Sequence, residues 1–187
     1  MSNCSLWSIH LTASRLAGYH GSPSTRGCRP GPLEYARVSS GTRLPIFNVG
    51  AWFYDWLTDQ DLWRRQVADT RAHFPNLQRP LRVLDLGCGP GVSTFALAET
   101  MPAGTQLVGI DLATKMIERA NRLRRTRYTH LEDIEFLVAD ATSLSFEDDA
   151  FDAAIGHSFL YLVPDRIAVL REVRRVLAPG GTLVLME

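Results

Sequence analysis

An apolar run that ends in an acid and three alternating glycines constrains the fold more than any other feature of this chain. Residues 81–86 are apolar apart from Arg82 and Asp85, which predicts a central parallel strand covered by helices on both faces. The alternating glycines of residues 87–91 allow backbone angles that side chains forbid, and they let a ligand approach the main chain. Helical spacing begins at Val92, so the first amide groups of that helix point into the crevice where open α/β sheets bind ligands.

The spacing of these glycines argues against a dinucleotide site. A dinucleotide fingerprint has glycine at its first, third and sixth positions, and the sixth position counted from Gly87 is Val92. The observed pattern is Asp-x-Gly-x-Gly-x-Gly, in which Asp85 is an acid able to meet a cationic ligand. This pattern resembles the first motif of the class I S-adenosylmethionine-dependent methyltransferases, whose cofactor carries a sulfonium and an ammonium but no phosphate.

Further segments resemble that family in their order and spacing. Residues 106–111, 134–141 and 151–157 read as three more strands, and residues 170–187 read as a helix, a Pro-Gly-Gly turn and a fifth strand. The resemblance covers roughly residues 50 to 187 and points to the small-molecule branch that includes ubiquinone- and menaquinone-biosynthesis enzymes. It implies a Rossmann-like, doubly wound α/β fold with a mostly parallel sheet in the strand order 3-2-1-4-5.

Several side chains are candidates for a cofactor site. Asp111 ends the second strand, where a carboxylate can accept both hydroxyls of a ribose. The resemblance implies that Asp140 meets the adenine amino group and that Met116 packs on the adenine. His157 is the best candidate for a general base because imidazole titrates near neutrality, although a structural or cofactor-contacting role is equally open, and Tyr161 is a weaker candidate. The predicted cofactor ligands are Asp85, Gly87, Cys88, Gly89, Gly91, Asp111, Leu112, Met116, Asp140, Ala141 and His157.

The residues that follow the fourth strand narrow the class of methyl acceptor. Residues 156–159 read Gly-His-Ser-Phe, whereas enzymes that methylate amino groups of nucleic acids or protein glutamine carry Asn/Asp-Pro-Pro-aromatic there. Cytosine C5 methylation needs a nucleophilic cysteine near the same place, but Cys88 lies in the cofactor loop. The resemblance therefore implies transfer to an O, N, C or S atom of a small molecule. Two alternatives stay open: aminopropyl transfer on the same fold, and a non-catalytic S-adenosylmethionine-binding fragment.

Composition agrees with this interpretation. The 187 residues are 45% apolar with a formal net charge of zero, which predicts one soluble globular domain and no nucleic-acid partner. Cys4, Cys28 and Cys88 form neither a metal-ligand spacing nor an even disulfide set, which favours a reducing, cytoplasmic compartment and no metal site. No apolar run is long enough for a membrane helix. The basic stretch within residues 115–127 is interpreted as the solvated face of a helix.

The two ends of the chain differ from its centre. Residues 1–45 are rich in Ser and Arg with Glu34 as their only acid, which predicts disorder, or an organellar transit peptide as an alternative. The predicted methyltransferase-type domain, residues 46–187, begins with an aromatic segment containing Tyr54 and Asp55 and a helix over residues 59–73. The domain stops after the fifth strand of a family sheet that normally has seven. We therefore expect an incomplete acceptor half and an exposed apolar edge along strand five.

Overall fold

The fold is built on one twisted sheet. A computed structural model of the chain describes residues 6–10, 61–74 and 77–186. The six strands of the sheet are β1 (Leu6–His10), β2 (Arg82–Leu86), β3 (Gln106–Asp111), β4 (Ile134–Val138), β5 (Phe151–His157) and β6 (Leu177–Met186). They lie side by side in the order β1-β6-β5-β2-β3-β4.

The five strands β2 to β6 are mutually parallel and confirm the predicted order 3-2-1-4-5. The central strand β2 pairs with β3 on one side and β5 on the other, and Leu86 lies opposite both Ile110 and Gly156. The direction of winding therefore reverses between β2 and β5. In sheets of this kind the ligand crevice opens at that switch point, beyond the carboxyl ends of the strands.

Helices cover both faces of the sheet. They are α1 (Asp61–Asp69), α2 (Val92–Ala98), α3 (Thr114–Thr126) and α4 (Arg166–Val176), with short 3-10 turns at Thr70–His73 and Leu160–Leu162. One core cluster joins the first three helices to the sheet through Val67, Phe95 and Ile117. The other joins α4 to the opposite face through Val169 and Val173. Two separate cores on the two faces are what a doubly wound sheet requires.

The edge of the sheet differs from the expectation. β1 pairs with β6 in antiparallel register, from Leu6 opposite Met186 to His10 opposite Thr182. The predicted exposed edge along strand five is therefore wrong, because the hydrogen-bonding groups on that side of β6 pair with another strand. β1 also lies inside residues 1–45, for which disorder was predicted. The aromatic segment with Tyr54 and Asp55 lies outside the described residues.

The basic stretch of the sequence lies on α3. Ile117 and Ala120 of this helix are buried, whereas Lys115 and Arg125 are exposed, which agrees with a helix that has one solvated face. Across the described ranges, no helix combines the length and apolar character needed to cross a membrane.

Candidate functional site

The glycine-rich loop after β2 is tied to the neighbouring strand β3. The Cys88 N–H donates to the Ile110 carbonyl at 2.9 Å, and the Gly89 N–H donates to Asp111 Oδ2 at 3.0 Å. The loop closes on itself where the Gly91 N–H donates to the Cys88 carbonyl at 2.9 Å. These bonds hold the loop at the carboxyl edge of the sheet, where the motif predicted a ligand site.

Asp111 is oriented by two backbone amides. Its Oδ2 accepts the Gly89 N–H, and its Oδ1 accepts the Ala113 N–H at 2.8 Å. A carboxylate offers about four lone-pair positions, so each oxygen keeps the capacity to accept another donor. Because Asp111 is half-buried, it combines a fixed orientation with access from the crevice.

Glycine serves different purposes at the three positions of the loop. A Cβ at Gly87 would lie 2.3 Å from Phe159 Cδ2, and one at Gly91 would lie 2.7 Å from Phe136 Cζ. Those two positions are therefore closely covered by aromatic rings. A Cβ at Gly89 would meet nothing within 4 Å, so the main chain at Gly89 faces open space.

Asp85 lies beneath the loop. Its side chain is 1% exposed, and its Oδ2 accepts the hydroxyls of Ser93 at 2.8 Å and Thr94 at 2.7 Å, both in the first turn of α2. Its Oδ1 has no hydrogen-bond partner among the described residues. Burial raises the pKa of Asp85 to about 6, against the lowering effect of the two hydroxyls, and nearby Asp111 raises it further. This geometry gives Asp85 a role in holding the start of α2; contact with the cofactor stays a prediction.

The buried Asp85 makes stability depend on pH. Its folded-state pKa lies above its ordinary value of 3.8, so the folded chain retains this proton as pH rises from about 4 to about 6. The free energy of unfolding contributed by this group is full below pH 4 and falls through that window. The difference between the two pKa values corresponds to about 3 kcal/mol.

The test of this pH dependence is urea unfolding of the wild type and Asp85→Asn between pH 4 and pH 7.5. Asparagine resembles the protonated acid, so the variant is expected to gain stability relative to the wild type as pH rises, by about 2–3 kcal/mol by pH 7. A stability difference that stays flat over this range would contradict a raised pKa at Asp85.

Apolar side chains and the acid Asp140 lie at or just after the ends of β3 and β4. Leu112 is 72% exposed and Val138, which lies opposite Asp111 in the sheet, is 50% exposed, while Met116 is half-buried and Ala141 is buried. Asp140 is exposed, and its Oδ1 accepts the N–H and the hydroxyl of Thr142 at 2.8 and 2.7 Å. These bonds lower the pKa of Asp140, which keeps the carboxylate ionised.

His157 ends β5 on the other side of the switch point. The side chain is 6% exposed, and burial lowers its pKa to about 4, so the imidazole is neutral at pH 7. Burial also raises the pKa of the Cys88 thiol, which therefore stays protonated and unreactive. Tyr161 is exposed in the 3-10 turn that follows β5.

The predicted ligands therefore gather along the carboxyl ends of β2 to β5. Five of them are buried: Asp85, Cys88, Gly91, Ala141 and His157. Sequence reasoning missed the supporting hydroxyls of Ser93 and Thr94, although hydroxyl residues in the first helical turn after a buried acid are a usable signal. It also assigned nothing to Phe159, whose ring covers Gly87.

The chain also matches a known protein family. Residues 77–187 match the family described as "Methyltransferase domain". The chain belongs to this methyltransferase family.

One curated relative, the demethylmenaquinone methyltransferase of Staphylococcus epidermidis, is 34% identical over 126 residues, covering 67% of the chain and 49% of the relative. The counterpart in Thermus thermophilus is 40% identical over 126 residues, covering 67% of the chain and 53% of the relative. The chain thus spans about half the length of the curated relatives it matches.

Solved structures support the same fold. An S-adenosylmethionine-dependent methyltransferase from Aquifex aeolicus matches with a TM-score of 0.62 and 19% identity, covering 72% of this methyltransferase-family chain and 71% of the other. At that identity the match concerns the fold alone. The [4+2]-cyclase SpnF matches with a TM-score of 0.60 and 32% identity, covering 66% of the chain and 44% of SpnF.

Proposed function

We propose that this chain binds S-adenosylmethionine at the carboxyl edge of the sheet and transfers its methyl group to a small-molecule acceptor. The observation that carries the proposal is the pairing of Gly89 and Asp111. The Gly89 main chain borders open space, and its N–H orients a carboxylate that has lone pairs to spare. This arrangement suits a ligand that brings hydroxyl donors to Asp111 and lies closely against the loop.

The residues along the edge fit the parts of this cofactor. Asp111 would accept the ribose hydroxyls, and the apolar surface of Leu112, Met116 and Val138 would pack on the adenine, with Asp140 near its amino group. When bound, the cofactor supplies an electrophilic methyl group. The work left to the chain is to orient that group toward the acceptor and to keep water out.

An apolar, quinone-like acceptor suits the segment after β5. Tyr161, Leu162 and Ile167 are all more than half exposed beyond the crevice, where they offer apolar contact area. The demethylmenaquinone methyltransferase relatives act on a quinone, as their names state. If the acceptor must lose a proton, neutral His157 is the candidate base, and its low pKa makes it a weak one.

A labelled methyl-transfer assay tests this function. The full chain is incubated with S-adenosylmethionine carrying a labelled methyl group and with a short-chain demethylmenaquinol, and the label is followed into the organic extract. Transfer that needs the folded protein supports the proposal. No transfer by a chain that binds the cofactor would favour a non-catalytic binding role. In a separate incubation with decarboxylated S-adenosylmethionine and a polyamine, transfer of the aminopropyl group would favour the aminopropyltransferase alternative.

Asp111→Ala tests the ribose assignment. The variant is expected to weaken S-adenosylhomocysteine binding by about 1–3 kcal/mol, or roughly 5- to 150-fold in Kd, because buried hydroxyls lose their acceptor. Calorimetric titration measures the change.

The matched control is Asp152→Ala at the opposite edge of the sheet. Asp152 also accepts a backbone N–H, from Arg82 at 2.8 Å, and its other oxygen pairs with Arg79 at 2.5 Å. Removing the Asp152 carboxylate costs stability because it also loses these hydrogen bonds. The Kd of Asp152→Ala for S-adenosylhomocysteine is expected to equal that of the wild type. Equal affinities for the two variants would contradict the role given to Asp111.

A further inference from the structure

Phe159 lies at the switch point of the sheet. Its Cδ2, Cγ and Cβ atoms are 2.3, 2.8 and 3.0 Å from the place where a Gly87 Cβ would stand, and its Cδ1 is 3.5 Å from that of Gly156. Gly156 lies opposite Leu86 in the register of β5 and β2, so the ring spans the carboxyl ends of both strands. The absence of side chains at Gly87 and Gly156 is what makes room for it.

A strained residue directs the ring to this position. Ser158 adopts a left-handed conformation with φ of 51°, which is uncommon for a residue with a side chain. Its N–H donates to the Met186 carbonyl at 2.8 Å, which anchors the turn to β6, and the Leu162 N–H donates to the Phe159 carbonyl at 3.0 Å. Strained conformations of this kind persist where the surrounding structure holds them, and they cluster at functional sites.

A cofactor bound at the proposed site would bring one of its ends to this ring. With the adenine at the end of β4 and the ribose at the end of β3, the molecule continues along the edge toward β2 and β5. Neighbouring strands are about 4.8 Å apart, so a step of one or two strands beyond the ribose reaches the Phe159 ring. The part of the cofactor that would lie there is the sulfur with its aminocarboxypropyl group.

We propose that Phe159 is a positioning residue that bounds the methionine end of the cofactor at the switch point. This inference rests on the proposed cofactor site. The flat ring, held by the Ser158 turn, gives the cationic end of the cofactor an aromatic wall and excludes water from it. Neither the ribose nor the adenine depends on this wall, so its loss is specific to one half of the ligand.

Two ligands separate the halves of the site. S-adenosylhomocysteine carries the aminocarboxypropyl group, and methylthioadenosine lacks it but keeps the ribose and adenine. Calorimetric titration of the full chain and Phe159→Ala with each ligand is expected to show about a tenfold weaker Kd for S-adenosylhomocysteine and a change of less than about twofold for methylthioadenosine. Equal loss for both ligands, no loss, or tighter binding would overturn the proposal.

Phe146→Ala is the matched control. Phe146 is another half-buried aromatic packed on the same core cluster, and it contacts Phe151 at the amino end of β5, with ring centroids 5.0 Å apart. It is expected to lose stability without any change in either Kd. If Phe159→Ala does not fold, Phe159→Leu keeps an apolar side chain and is expected to weaken S-adenosylhomocysteine alone by about threefold.

The result for the wild type separates the two proposals. A folded wild-type chain that binds neither ligand contradicts the proposed function itself. A wild-type chain that binds both, with Phe159→Ala indistinguishable from it, contradicts only the role of Phe159.

Discussion

Gly89→Ala is expected to weaken S-adenosylhomocysteine binding at least about tenfold while the chain stays folded. The added methyl group meets no protein atom within 4 Å, so it enters the open space in which the cofactor is proposed to lie against the main chain. Its stability cost comes from the backbone alone. Gly89 has a φ of 53°, and a left-handed residue with a side chain costs about 1–2 kcal/mol.

Gly180→Ala is a close control for this experiment. Gly180 has a φ of 82°, and its Cβ would also meet nothing within 4 Å, but it lies near the amino ends of β5 and β6. The two variants are expected to lose similar stability, and only Gly89→Ala is expected to lose affinity. Calorimetric titration and urea unfolding of both variants measure the two quantities. If Gly89→Ala binds S-adenosylhomocysteine as tightly as the wild type, the cofactor does not lie against the main chain of Gly89.

Gly87→Ala is expected to lose about 2–5 kcal/mol in the free energy of unfolding. The new Cβ would stand 2.3 Å from Phe159 Cδ2 and 3.0 Å from its Cβ, close to the backbone that the Ser158 turn holds. The ring therefore cannot move aside without disturbing that turn. The left-handed φ of 66° adds its own cost.

Gly104→Ala separates the steric cost from the backbone cost. Gly104 has a φ of 80°, but the nearest atom to its added Cβ is Pro80 Cγ at 3.5 Å, an ordinary contact. Its expected loss is the backbone contribution of about 1–2 kcal/mol. Urea unfolding of both variants gives the comparison, and similar losses would show that Phe159 does not pack on Gly87 as described.

The central strands were predictable because their sequence carries two signals at once: an apolar run, and turn residues on both sides of it. Residues 106–111 and 151–157 are apolar runs bounded by turns, and the structure has strands at those positions. The helix predicted over residues 59–73 is divided into α1 (Asp61–Asp69) and a 3-10 turn, since helix ends are weakly specified by sequence. In β1 both of these signals are weak. Its place in the sheet depends on pairing with β6, which lies far along the chain.

The site was predictable at the level of the loop and less so for the individual side chains. The acid-and-glycine motif marked the correct edge of the sheet, but the motif does not reveal that Asp85 is buried against Ser93 and Thr94. Phe159 was not predictable, because its position depends on the left-handed Ser158 and on two glycines brought together by neighbouring strands. Such contacts arise from tertiary packing rather than from local sequence.

The cofactor site is tested by calorimetric titration of the full 187-residue chain with S-adenosylhomocysteine at two temperatures, after circular dichroism has verified the folded state. Two temperatures are needed because the binding enthalpy passes through zero at some temperature when apolar surface is buried. We expect saturable binding at one site per chain. A folded chain that gives no binding heat at either temperature would contradict the claim that this edge of the sheet is a cofactor site.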